Sequence, residues 1–302
     1  MALFKKTKPT LSESLALQLG ENDDLGTKLR RMARQNKLAV ASAVVLALLV
    51  LSAVFAPILT PYDAVTGDIS QRLDAPSAAH WLGTDEMGRD VLTRLLYGAR
   101  ISLAVGAVPS LFSMLIGVAL GMTAGFVGGR TDYILMRLAD VMLAFPSLLL
   151  AMVIMYTLGN SVIDIFLALT LVSWASVARV ARAETVSLKE CEYVEAARSI
   201  GVKPIIIILR HILPNCFPSL IVLFTLNIPS AILSESSLSF LGIGIQLPNA
   251  SWGLMVNMGR QFLYNAPWIS LAPSGAIMLV VLACNFLGDG LRDALDPHLN
   301  NT

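Results

Sequence analysis

The run from Leu38 to Leu59 sets the first constraint, because none of its residues carries a charge. At 1.5 Å per residue a helix of this length is about 33 Å long, enough to cross a hydrocarbon core of about 30 Å. Inside lipid no water can satisfy the backbone, so a lone apolar run of this kind has to be helical. Comparable apolar stretches recur at about 101–126, 133–158, 162–181, 217–240 and 269–287. Charged residues make up 14% of the chain, against about 25% in a soluble domain. The expectation is an all-α membrane protein with six transmembrane helices. A polar segment, 1–37, precedes a membrane domain over 38–302.

The stretches between and within these spans carry local signals. Pro57 and Pro61 end the first span. Gly117, Gly121 and Gly125 recur every four residues on one face of the second, the spacing that lets a neighbouring backbone approach, here most simply within the same chain. Pro146 predicts a kink in the third span, and Gly159-Asn160-Ser161 a tight turn after it. Ahead of span two, Thr84 or Asp85 is placed to cap a short helix lying on the membrane surface. Val91, Leu92, Leu95 and Leu96 would form its apolar stripe, with Arg89, Asp90 and Arg94 off it. Residues Gly253 to Asn265 predict a second short amphipathic helix, on the outer surface.

Lys and Arg placement gives the orientation. With the N-terminus inside, the cytoplasmic segments hold 17 of the 22 basic residues and the loops 60–100 and 241–268 hold the other 5. The bias predicts both termini in the cytoplasm. Loop 60–100 is then external and loop 182–216 cytoplasmic. The first apolar run is too long for a cleavable signal peptide and lacks a convincing cleavage site.

Several chemistries find no support. Cys191, Cys216 and Cys284 have neither metal-ligand nor disulfide-framework spacing, and read as structural. His80, His211 and His298 fall in separate segments, so no nucleophile–base constellation or metal centre is expected. Gly20 to Lys28 fails the phosphate-loop pattern, because Thr27 intervenes before Lys28. The acidic residues near Asp85 do not follow a calcium-loop register. The net charge of +1 gives no footprint for nucleic acid.

The most distinctive polar island is cytoplasmic. Glu190 to Ile200 reads as a short helix stopped by Gly201, Lys203-Pro204 starts another, and Pro214 marks a break before the fifth span. Glu195-Ala196-Ala197, then Gly201, then Leu213-Pro214, resembles the EAA signature of binding-protein-dependent ABC importer permeases. In that family this loop is the coupling helix seated on the ATPase. A second run, Leu82-Gly83-Thr84-Asp85 followed by Gly88-Arg89-Asp90, resembles the dipeptide/oligopeptide/nickel branch. So do Tyr97 to Arg100, Ser236 to Gly244 and Gly288 to Pro297.

The resemblance implies a type I importer permease that is not itself an enzyme, forming half of a translocation pathway for di- or oligopeptides or a related small solute. It implies a second homologous permease, two ATPase subunits holding ATP and Mg²⁺, and an extracytoplasmic solute-binding protein at a bacterial cell membrane. No cofactor is expected in this chain. Glu195, Ala196, Ala197, Gly201, Leu213 and Pro214 are the expected coupling residues. Glu235 and Asn227, polar groups within span five, are candidates for lining the pathway, with an interhelical lock as the alternative; Asp140 reads first as such a lock. A stand-alone secondary transporter or channel would need a coupling-ion site or inverted repeat, and a membrane scaffold would use the elbow without a path.

Overall fold

The computed structural model describes residues 36–295, and every described regular element is helical. Segment 1–35 and residues 296–302, including Asp296 and Pro297, lie outside the described residues. Among the described residues five helices are long and apolar enough to cross a membrane, and a sixth crossing arises if one bent pair is counted as a single span.

Helix α1, Lys37–Val54, starts on Asn36, whose side chain accepts from the Ala39 amide. Its last carbonyls are held from another helix: Arg100 donates to Ala53 O at 2.6 Å and Val54 O at 3.0 Å. A guanidinium at a helix C-terminus satisfies orphan acceptors and complements the dipole there.

Helix α2, Val91–Val127, is continuous and replaces the expected surface helix plus span. Its cap is Asp90, which accepts from the Thr93 amide at 2.7 Å, rather than Thr84 or Asp85. Arg89, Asp90 and Arg94 are not off a stripe facing water; all three are buried.

The third span is broken. Helices α3, Gly129–Ala144, and α4, Ser147–Leu158, meet at 92° across Phe145-Pro146. Helix α5, Val162–Leu188, then begins with a capping box between Ser161 and Asp164 and runs past the expected end at Ala181. The glycine stripe of α2 lies against it. A Cβ on Gly117 would sit 2.6 Å from Val177 Cβ, and one on Gly125 2.9 Å from Arg182 O, while one on Gly121 would overlap the Ala178 carbonyl. The stripe is thus used within the chain.

Beyond the short helix α6, Glu192–Ser199, a single helix α7 runs Pro204–Phe240. The break expected at Pro214 does not occur. A π-turn at Ile208–Ile212 widens the helix where the Pro214 ring would press on the carbonyl of Arg210, and proline needs no donor there. Helix α8, Trp252–Gly259, is not a surface helix: Trp252, Leu254 and Met255 are buried. Trp252 donates through its indole to Leu95 O at 3.0 Å, and its amide to Ser102 Oγ at 3.0 Å. Helix α9, Trp268–Leu295, extends past the expected end of span six and packs on α1, where Gly290 faces Ala39.

Candidate functional site

The elbow between α5 and α7 is built by local rules. Val194 (fully buried) and Ala197 point inward, against Val177, Ala181, Ile207 and Ile212. Apolar residues three apart on a short helix give it one anchored face. Gly201 ends it at φ +79°, with Gly201 N donating to Arg198 O at 3.0 Å and Val202 N to Ala197 O at 3.1 Å. This pair of bonds is the Schellman closure, which needs a left-handed residue at that position. Pro204 then opens α7 at its first turn.

Two basic side chains tie the elbow to the C-terminal end of α2. Lys189 Nζ donates to Gly125 O at 2.9 Å, and Arg198 stacks over the Phe126 ring at 5.2 Å. The elbow therefore does not hang free; its inner face is fixed while its outer face is presented.

The expected coupling residues divide between these faces. Glu195, Ala196, Gly201 and Pro214 are exposed, whereas Ala197 and half-buried Leu213 pack inside. Motif reasoning missed the apolar groups around them. Ile200 is 81% exposed, and Tyr193, Ile205, Ile206 and Leu209 are also exposed. Their signal was the presence of apolar residues in an otherwise polar island. Ile200 and Tyr193 thus present apolar surface on the same short helix and turn as the exposed acidic residues Glu192 and Glu195.

The run from His80 to Arg94 forms a closed network. Asp85 accepts from the amides of Met87 (2.8 Å) and Arg89 (3.0 Å), and its other oxygen meets Arg89 Nε at 2.7 Å and Arg94 Nε at 3.4 Å. Asp90 caps α2 and also meets His80 Nδ1 at 2.9 Å. Thr84 accepts from the Asp74 amide at 2.8 Å and donates to Gln71 O, and Trp268 donates to Thr84 O at 3.2 Å. Gly83 and Gly88 both have positive φ, Gly83 packing on the Trp268 indole. Leu82 is half-buried against the core. These residues knit loop 60–90 onto α2 and α9, and Gly83, Thr84, Asp85, Gly88, Arg89 and Asp90 are all buried.

Of the pathway candidates, Glu235 is fully buried, with Oε1 accepting from Ser239 at 2.7 Å and from Ser251, the cap of α8, at 2.8 Å. Asn227 is half-buried, and its Nδ2 has no partner among the described residues. Asp140 is paired, with Arg179 at 2.6 Å. The described residues hold no group of three or more His, Cys, Asp or Glu arranged to bind a metal.

Residues 117–301, from the glycine stripe of α2 through the elbow to the chain's end, match the model of the binding-protein-dependent transport system inner membrane component. The chain belongs to that family. It is a multi-pass permease of the ABC importer class. Residues 27–76 also match the N-terminal transmembrane domain of oligopeptide transport permease C. The chain is similar to the oligopeptide transport system permease protein OppC of Bacillus subtilis, at 42% identity over 88% of this chain and 87% of the relative. It is 44% identical to the dipeptide transport system permease protein DppC of Alkalihalophilus pseudofirmus, over 90% and 89%. It is 45% identical to the glutathione transport system permease protein GsiD of Pectobacterium atrosepticum, over 90% of each chain. In fold it resembles a chain of the inward-facing MetNI methionine ABC transporter, with TM-score 0.55 and 18% identity over 67% of this chain and 96% of that one. The importer-permease fold expected from the sequence is thus present.

Proposed function

We propose that this permease, paired with a second homologous permease, forms the path for short peptides across a bacterial cell membrane. In this reading two ATPase subunits bind the elbow from the cytoplasm, and an extracytoplasmic binding protein delivers the solute. The ATPases carry the ATP and Mg²⁺ chemistry. Both termini lie inside, as the basic-residue bias supports. The peptide assignment is supported by relatives named for oligopeptide, dipeptide and glutathione transport.

The observation that carries the coupling role is the presented face of α6, with Ile200 as its apolar knob and Glu195 beside it, on an element whose other face is anchored to α2 and α5. ATP-driven closure of the ATPases moves the elbow, and α5 and α7 tilt with it, switching the side to which the path opens. Glu195 serves as a charge partner for the ATPase, Ala196 keeps the contact close, and Gly201 holds the turn. Leu213 and Pro214 shape the start of the transmembrane arm. Glu235 acts as a clasp between α7 and α8, and Asn227 is the candidate for contact with solute.

The test is extraction of a tagged copy from its native membrane in mild detergent, with its stoichiometric partners identified and the complex reconstituted in vesicles. A sister permease, two ATPases, and crosslinks from residues 190–201 to an ATPase are the expected outcome, with ATP-dependent peptide uptake. Recovery of this chain alone, moving solute without ATP, refutes the reading.

A further inference from the structure

Helices α2 and α5 run in the same direction. Along the glycine stripe Gly117 faces Trp174 and Val177, Gly121 faces Ala178, and Gly125 faces Arg182 and Thr185, so the two numberings rise together. Each helix is long and apolar enough to cross a membrane. A chain that crosses twice in one direction has to return in between, and α3 and α4 are the helices between them. The bent pair is therefore one crossing.

Its dimensions leave little freedom. Helix α3 has 16 residues and α4 has 12, or about 24 Å and 18 Å of helix. Set at 92°, their far ends stand about 30 Å apart, which just matches the hydrocarbon core. With no length to spare, Gly129 and Leu158 sit at the two boundaries. The break at Phe145-Pro146 then lies about 11 Å inside the core from the Leu158 end, about 14 Å to the side of the line that joins the two ends.

At that depth the backbone is open. Among the described residues the amides of Phe145, Ser147, Leu148 and Leu149 find no acceptor, and the carbonyls of Ala144 and Phe145 find no donor. No side chain caps α4, and no basic residue closes the last turn of α3. The same chain caps α2, α5 and α8 with Asp90, Ser161 and Ser251. Phe145 is 57% exposed, and Ala144, Pro146 and Ser147 are exposed beside it. Free backbone groups cannot face acyl chains; they occur at membrane depth only where protein buries them or a water-filled cavity wets them. The described residues of this chain do not bury them. A protein neighbour would have to meet four donors and two acceptors one by one, whereas water meets all of them.

We propose that the Phe145–Ser147 break stands on the wall of the translocation path, with its free amides and carbonyls turned to the water of that path. The inference rests on the importer-permease reading above, in which the water at this depth is that of the path between two permeases. The peptide passes Phe145 and Ser147 as it crosses.

The test uses the reconstituted complex with all its subunits, carrying Phe145→Cys or Ser147→Cys. Ser147→Cys exchanges one atom at an exposed position, so the complex is expected to assemble and to keep wild-type uptake. Leu48→Cys, 60% exposed in the uncharged run of α1, sets the lipid-facing rate, and the wild type sets the background from Cys191, Cys216 and Cys284. A charged, membrane-impermeant thiol reagent should label both break variants faster than Leu48→Cys by on the order of a hundredfold, the partition penalty of a charge in the core. A transported tripeptide supplied during ATP turnover should slow that labelling. Labelling by lipid-soluble reagents alone places the break against acyl chains, and labelling by neither kind places it under the sister permease; each result overturns the inference and leaves the permease reading intact. Fast labelling that the tripeptide does not slow shows water outside the path and also overturns it. ATP-dependent peptide uptake by the wild-type complex is measured separately, and its absence refutes the peptide reading whatever the labelling shows.

Discussion

Replacing Gly117 by alanine sets two opposing effects against each other. Alanine is favoured over glycine inside a helix by about 1 kcal/mol. The new Cβ, however, would stand 2.6 Å from Val177 Cβ and 2.7 Å from Trp174 O, where ordinary contact begins near 3.4 Å. Neither group can swing aside, since one is a branch point and the other backbone. Helices α2 and α5 must separate by roughly 0.7 Å, and gaps of this size forfeit about a quarter to a half of each contact's dispersion energy. Overpacking of this kind costs about 1–3 kcal/mol. The expected net effect is a loss of up to about 2 kcal/mol, which lowers the melting point by up to about 3 °C for a chain of this size. Gly275 in α9 is the control, because a Cβ there meets nothing within 4 Å. Gly275→Ala should hold or raise stability by up to about 1 kcal/mol. The assay is the thermal midpoint of the purified complex, followed by the monodisperse peak in size-exclusion chromatography. A Gly117→Ala midpoint at or above the wild type refutes the account of the α2–α5 contact.

Other perturbations test separate elements. Gly201→Val should cost about 1–2 kcal/mol at the left-handed turn and abolish uptake while the chain still inserts, whereas Gly201→Asn should retain most activity; uptake together with membrane abundance reads this out. Asp90→Ala removes the α2 cap and the His80 contact, and should destabilise by about 1–2 kcal/mol and open the outer loop to protease, with Asp90→Asn milder. Reversing one partner of the Arg182–Asp132 pair should lower the thermal midpoint, and the double reversal should recover most of it, because the pair is bidentate and crosses two helices.

Local chemistry made the elbow legible. Gly201 and Pro204 dictate a stop and a restart from φ limits alone, and the Gly117–Gly125 stripe marked a close helix contact before its partner was known. The outer loop was less legible. Asp85 has the side chain of a helix cap, but Arg89, Arg94 and two loop amides occupy its oxygens, so the capping role passes to Asp90. Arg94 reads as a surface cation until its guanidinium is seen to reach Ala64 O, thirty residues back. Helix α8 seemed amphipathic in isolation, yet Trp252 and Ser251 bond to α2 and α7, and those contacts draw it inside. At Pro214 the single-residue rule failed because the helix changed its pitch rather than ending. The apolar rim of the elbow went unread because motif spacing registers identities at fixed positions and says nothing of the residues between them.

The unbroken α7 has a mechanical consequence. At 37 residues it is a rod about 55 Å long, beginning three residues after Gly201 and ending beside the Glu235–Ser251 clasp. A tilt of about 10° about its midpoint displaces each end by roughly 5 Å in opposite directions, with no internal rearrangement. The π-turn leaves that rod continuous, so a push delivered at Ile205 arrives at Ser239 as a lever stroke.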